Sequence, residues 1–268
     1  MSSNRCKVII VDWDDTILPS TFVDRWQIDN FRDLPIHFQN LLGELSLCAD
    51  RFLEAASKYG EVIIITNSDE GWVNFSAEKY CPKLLPVVAK YRVVSARTCY
   101  EKFYPGQPLC WKAAAFAHEV NEIFEQHDDN SCASMEGTEV SSQSSMESEA
   151  DLMLRREIIS FGDSVEERTA TNIVSKQLNA LSKSIMFLNS PTPLQIIGQL
   201  HMLTDHMGFV CDNERSLDLK ISTEQAERFA HNYLKKNQIN YDTTVIPNYV
   251  PSIKDVLTRE GIVASASG

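Results

Sequence analysis

Four β-branched apolar residues, Val8-Ile9-Ile10-Val11, break directly into Asp12-Trp13-Asp14-Asp15-Thr16. The apolar run predicts a short strand buried on both faces. The acidic run sets three carboxylates within a few positions of one another, where their charges repel. A divalent cation or a basic partner would relieve that repulsion. A buried strand that ends in polar residues also suits an open α/β sheet, in which ligands bind beyond the carboxyl ends of the strands. An ordinary strand-to-helix turn, with Asp as the helix cap, has the same local appearance.

The pattern then repeats along the chain. Residues 34–59 read as one amphipathic helix, its apolar face supplied by Leu41, Leu42, Leu45, Leu47, Phe52, Leu53 and Ala56, and Gly60 stands where a C-terminal cap belongs. Glu61-Val62-Ile63-Ile64-Ile65 is a second buried strand, and it too ends in small polar residues, Thr66-Asn67-Ser68. Strand, helix and strand make a βαβ unit, so these two strands should be parallel. A weaker third strand, Arg92-Val93-Val94-Ser95-Ala96, leads through a Pro/Gly loop to a helix that begins near Trp111-Lys112. A cation in a first helical turn opposes the helix dipole, so Lys112 either faces an anion or is a solvated surface residue. Glu157-Ile158-Ile159-Ser160-Phe161-Gly162-Asp163 is a fourth strand running into acid, with Glu166 and Glu167 close behind. Ser184-Ile185-Met186-Phe187-Leu188 is a fifth strand, and Thr192-Pro193 opens the helix after it. Beyond residue 207 the alternation breaks: Leu217-Asp218-Leu219-Lys220-Ile221 reads as a strand, and Ser222 with Gln225 as a capping box for one more helix. The expected organisation is a core over 1–207 and a mostly helical C-terminal extension over 208–268.

Composition narrows the function classes. Of 268 residues, 43% are hydrophobic, enough for one large α/β domain with an appendage, and a net charge of −12 without a strongly basic segment argues against nucleic acid as the main partner. Seven cysteines form no CxxC pair, six scattered histidines show no zinc-binding spacing, and no leader-like apolar segment follows Met1, so the expectation is a reduced, intracellular protein of the cytoplasm or nucleus. No apolar run approaches the roughly 20 residues that span a bilayer. Residues 127–151 are rich in Ser, Glu and Asp and poor in large apolar residues. They are expected to be a disordered insertion, at most a docking site for a protein partner or a site of modification. A helix-to-strand connection lies at the N-terminal edge of a parallel sheet, which places this insertion away from the strand ends that carry the acids.

Taken in order, Asp12-Trp13-Asp14-Asp15-Thr16, Thr66 at a strand end, Lys112 at a helix start and Gly162-Asp163-Ser164-Val165-Glu166-Glu167 resemble the four motifs of the haloacid dehalogenase (HAD) superfamily, over about residues 7–207. Glu167 departs from the pattern, which has Asp at the last position. The resemblance implies a three-layer α/β/α, Rossmann-like parallel sheet and a Mg²⁺-dependent phosphatase. Asp12 would be the nucleophile and form an aspartyl-phosphate. Asp14 would be the general acid and then the general base. Asp12, Asp14 (through its main-chain carbonyl) and Asp163 would bind Mg²⁺. Thr66, Asn67 and Lys112 would hold the phosphoryl oxygens. Thr16 and Glu167 would support the site, Glu167 reaching a metal-bound water or Lys112.

An acid two residues after the nucleophile points to phosphatase chemistry, less to a phosphomutase, and away from dehalogenation. A HAD-like binding or regulatory protein with weak turnover is the alternative from another class. The intervals after the first and second motifs are short, so the enzyme is expected to be capless or minimally capped, and its substrate a phosphoprotein or a small phosphometabolite. Trp13 and Trp111 flank catalytic positions and could meet a substrate or simply pack in the core.

Overall fold

The computed structural model describes residues 5–26, 28, 30–133 and 156–239. In chain order the elements are β1 (Cys6–Val11), α1 (Ser20–Arg25), α2 (Ile36–Ser57), β2 (Glu61–Thr66), α3 (Trp72–Tyr80), α4 (Leu85–Val88), β3 (Arg92–Ser95), α5 (Ala96–Tyr100), α6 (Pro108–Ala133), β4 (Arg156–Gly162), α7 (Val165–Gln177), β5 (Leu181–Met186), α8 (Pro193–Asp205), α9 (Met207–Asp212), β6 (Leu217–Lys220) and α10 (Thr223–Lys236). Two compact units divide the chain, Met1–Tyr233 and Leu234–Gly268. The sheet and everything described below belong to the first. Among the described residues, no helix is long and apolar enough to cross a membrane.

The six strands form one sheet in the order β3-β2-β1-β4-β5-β6, and every pairing is parallel. Parallel neighbours need crossover connections, and these cover both faces of the sheet with helices. Val8, Ile10, Ile63, Ile65 and Ile158 point to one face, where Trp111, Ala115, Phe116, Val120 and Phe124 of α6 and Ala170 and Val174 of α7 cover them. The alternate residues point the other way, and there Phe52 of α2 meets the ring of Phe161 edge-on at 5.1 Å. The architecture is thus α/β and compatible with a Rossmann-like fold.

Chain order reverses between β1 and β4. From β1 the chain proceeds outward through β2 and β3, and from β4 outward through β5 and β6. The two central strands run in register, Val11 beside Phe161, and the Asp12 N–H donates to the Phe161 carbonyl at 2.9 Å. A sheet opens a crevice at such a reversal, beyond the carboxyl ends of its strands.

Several local expectations differ from what forms. The irregular stretch after Thr16 contains a short helix, α1. Leu47 lies on the outer face of α2, 44% exposed. Gly60 does not adopt the left-handed conformation of a helix cap; a Cβ there would stand 2.3 Å from the Lys7 carbonyl, so close approach of the chain to β1 explains it. β5 begins three residues earlier than its apolar run. Its polar start is accommodated by burial of Lys183 against Glu157 at 2.7 Å. The sheet does not stop at residue 207, because β6 pairs with β5, and the first compact unit extends to Tyr233. The capping boxes at Thr192 and Ser222 both form: Gln195 N–H donates to Thr192 Oγ1 and Gln225 N–H to Ser222 Oγ, each at 3.2 Å.

The expected insertion over 127–151 begins as ordered structure. Helix α6 continues to Ala133, and Asp128 pairs with Arg156, the first residue of β4. Residues 134–155 lie outside the described residues.

Candidate active site

The site grows from three strand ends and one helix. Asp12 follows β1, Thr66 closes β2, and Asp163 follows β4, so sheet geometry alone brings them to one edge. Lys112 enters from α6. That helix starts at Pro108 rather than near Trp111, which puts Lys112 just past the first turn. Side-chain contacts, not the helix dipole, therefore fix its charge.

Lys112 is 1% exposed. Its ammonium donates to Asp12 Oδ1 at 2.6 Å and to the Ile65 carbonyl at 2.7 Å, and it pairs with Glu167 Oε1 at 2.7 Å. An ammonium has three N–H groups and all three are engaged. Lys112 thus clamps Asp12 and Glu167 and has no N–H left over for a ligand. Burial works against its charge, but Asp12 and Glu167 outweigh burial and hold its pKa above the ordinary lysine value.

Glu167 serves two contacts with its two oxygens. Oε1 meets Lys112, and Oε2 accepts from the Ser164 N–H at 3.1 Å and from the Ser164 hydroxyl, closing the capping box of α7. Burial opposes its charge, yet Lys112 and Ser164 keep its pKa below the usual carboxylate value. Gly162 makes this placement feasible, since a Cβ there would lie 2.6 Å from Glu167 Cγ.

Asp12 shares the ammonium with a carboxylate that is better supplied with donors. Burial pushes its pKa well up, and the charges of Glu167 and Asp163 add to that, against the pull of Lys112. Asp163 is raised to about 7, first by burial and then by Glu167 and Asp15. Ligand atoms of Asp12, Asp163 and Glu167 all lie within 4.8 Å of one another. Three carboxylates around one ammonium leave two negative charges, which one divalent cation would balance. Oxygen donors in this number suit Mg²⁺ better than a softer metal. Asp14, expected on sequence to bind metal through its main-chain carbonyl, does not add its carboxyl to this cluster.

Asp14 faces a different set of neighbours. Its Oδ2 accepts from Ser68 Oγ at 2.8 Å and Thr66 Oγ1 at 3.2 Å, and its Oδ1 from the Trp72 indole N–H at 2.9 Å. Sequence reasoning assigned Thr66 to a ligand and did not single out Ser68 or Trp72. A serine two residues beyond a strand end and a tryptophan opening a helix carry no signal until the loop folds back. The neighbouring Asp15 takes φ 53°, and its carboxylate accepts the N–H of Thr21 at 2.9 Å and the Thr21 hydroxyl, tying α1 to the site. Burial raises the Asp15 pKa, and the Thr21 bonds oppose it.

A pocket of about 340 Å³ joins these groups, lined among others by Asp12, Asp14, Thr66, Lys112, Asp163 and Glu167. Asn67 lines it as well; its Nδ2 donates to the Pro108 carbonyl at 3.4 Å, while its Oδ1 is buried without a partner among the described residues. Thr16 does not reach the pocket. It is fully buried, and its hydroxyl has no partner among the described residues. Trp13 and Trp111 are core residues, their indole N–H groups bonded to Ser76 Oγ at 2.9 Å and the Tyr104 carbonyl at 2.6 Å. Lys102, the other lysine near Lys112 in sequence, is exposed, with its ammonium 4.8 Å from the Phe103 ring centroid.

No family model, curated protein or solved structure matches this chain.

Proposed function

We propose that the protein is a Mg²⁺-dependent phosphatase that hydrolyses a phosphomonoester through an aspartyl-phosphate on Asp12, a HAD-like enzyme of capless or minimally capped type. The observation that carries this reading is the unequal treatment of two acids two residues apart. Lys112 holds one oxygen of Asp12 at 2.6 Å, while Asp14 is gripped by a separate set of donors, Thr66, Ser68 and Trp72. Two carboxyl groups in separate environments suit separate roles.

Asp12 Oδ2 takes no hydrogen bond among the described residues, so it is the oxygen available for attack on phosphorus. The bond from phosphorus to the leaving oxygen breaks, and Asp14 supplies the proton that this oxygen needs. Water then attacks the aspartyl-phosphate, Asp14 takes its proton, and the Asp12 carboxylate and phosphate are released. Lys112 keeps Asp12 oriented and adds positive potential without a direct bond to the phosphoryl group. Thr66 and Asn67 remain the donors closest to hand for phosphoryl oxygens, Thr66 by turning its hydroxyl from Asp14. Asp12, Asp163 and Glu167, with the Asp14 main chain implied by the family resemblance, would hold Mg²⁺, whose charge shields the anionic substrate from the carboxylates.

Hydrolysis of a generic aryl phosphate in the presence of Mg²⁺ tests this reading. Asp12→Asn should abolish turnover, since an amide is a poor nucleophile. Turnover that survives Asp12→Asn rejects the nucleophile, and turnover that survives excess EDTA rejects the metal.

A further inference from the structure

Beside the acidic pocket lies a larger chamber of about 730 Å³, and the two share Ser20 and Thr21 as a common wall. Its other walls include Leu18, Val23, Ile28, Trp72 and Tyr80, and polar and apolar groups share its surface about equally. Among the described residues its only carboxylate is the exposed Asp24, and no Lys or Arg lines it. Trp72 connects the two spaces. Its indole N–H donates to Asp14 Oδ1 at 2.9 Å, and its side chain forms part of the chamber wall. The chamber therefore lies on the Asp14 side of the site, and a general acid must reach the leaving-group oxygen.

We propose that this chamber is the leaving-group site and that it selects phosphomonoesters of an aromatic alcohol. The inference rests on the phosphatase reading above. An open cleft of this volume is in the size range of small-ligand sites. Trp72 and Tyr80 offer aromatic faces against which a ring can pack, which an aliphatic alcohol would use less well. A second phosphate or a carboxylate on the leaving group would meet Asp24, with no lysine or arginine in the lining among the described residues. The shared chemistry is an aryl phosphate, whether a free small molecule or a phosphotyrosyl side chain.

The test uses the full chain with Mg²⁺ and two substrates, phenyl phosphate and acetyl phosphate, the second too small to need the chamber. Ile28→Trp narrows the chamber without touching the acidic pocket. It should lower kcat/KM for phenyl phosphate about tenfold or more and leave acetyl phosphate within about threefold. Asp24→Lys, at an exposed position, should raise kcat/KM for 4-carboxyphenyl phosphate relative to phenyl phosphate. Equal effects of Ile28→Trp on both substrates, or none, overturn the chamber while leaving the phosphatase standing. If neither substrate is hydrolysed, calorimetry with benzylphosphonate decides. Binding to the wild type that Ile28→Trp removes supports the chamber and rejects turnover, whereas binding that is absent or unchanged overturns the chamber as well. A phosphotyrosyl peptide distinguishes the sources: kcat/KM about tenfold above phenyl phosphate assigns the ring to a protein side chain, and about tenfold below assigns it to a free metabolite.

Discussion

Lys112 and Lys102 stand ten residues apart in the chain and have opposite surroundings. Lys112 is enclosed by two carboxylates and a carbonyl, whereas Lys102 lies on the surface beside a phenylalanine ring. Removing one partner of a buried ion pair leaves the others charged and unpaired, a loss of about 3–5 kcal/mol in comparable cases. Lys112→Met is therefore expected to lower both stability and activity, seen together in urea unfolding and in aryl phosphate turnover. Lys102→Ala should change neither by more than about 0.5 kcal/mol. Equal damage from the two substitutions would show that the clamp on Asp12 is irrelevant to the chemistry. Glu167 illustrates how a longer side chain can occupy this position: it reaches Lys112 with one oxygen and caps α7 with the other, and Gly162 leaves it room.

Helix α6 links the two ends of the sheet. Its first turns carry Lys112 to the carboxyl edge of the strands, and near its other end Asp128 pairs with Arg156 at the amino edge of β4. Asp128 and Arg156, which flank the connection from α6 to β4, thus meet on the side opposite Asp12 and Asp163. Replacing residues 134–150 by a short Gly/Ser linker should leave kcat/KM on a small phosphate ester within a few-fold of the wild type. A drop on the order of a hundredfold in a folded protein, about 2.7 kcal/mol of transition-state stabilisation, would show that this connection reaches the site.

At the scale of the molecule, the acidic cluster ties stability to pH and metal together. Burial raises the Asp163 carboxyl to about 7, with Glu167 and Asp15 adding to it. Between the ordinary carboxylate range near about 4 and that value, folded protein keeps a proton that the unfolded chain has lost. Stability from this group is therefore complete at low pH and lost as pH rises through about 7. Asp12 is raised in the same direction, whereas Glu167 is lowered, held charged by Lys112 and Ser164. A divalent cation would bind the ionised cluster and oppose the loss. Thermal unfolding with EDTA and with Mg²⁺ should show a stabilisation by Mg²⁺ that is larger near about pH 8 than near about pH 5.5. A Mg²⁺ effect that is the same at both, or absent, would argue against the cluster as the metal site.

The buried strands, their parallel pairing and the acids at their ends were legible from residues 7–16, 61–68 and 157–163 alone, because an apolar run that ends abruptly in polar residues is a local property. So were the caps at Thr192 and Ser222, which span four residues each. The partners were not. Lys112 meets Asp12 across 100 residues, and Trp72 meets Asp14 across 58. β6 resembled an isolated strand because its four residues stay largely exposed and its place in the sheet comes from pairing with β5. Which tryptophan faces the site was equally hidden: Trp13 and Trp111 adjoin Asp12 and Lys112 in sequence, yet the turn after β1 and the rotation of α6 put both into the core, and only the fold of the loop after β2 brings Trp72 to Asp14. Hydrophobic pattern acts between neighbours in the chain, whereas pairing energy depends on distances that exist only once the sheet has closed.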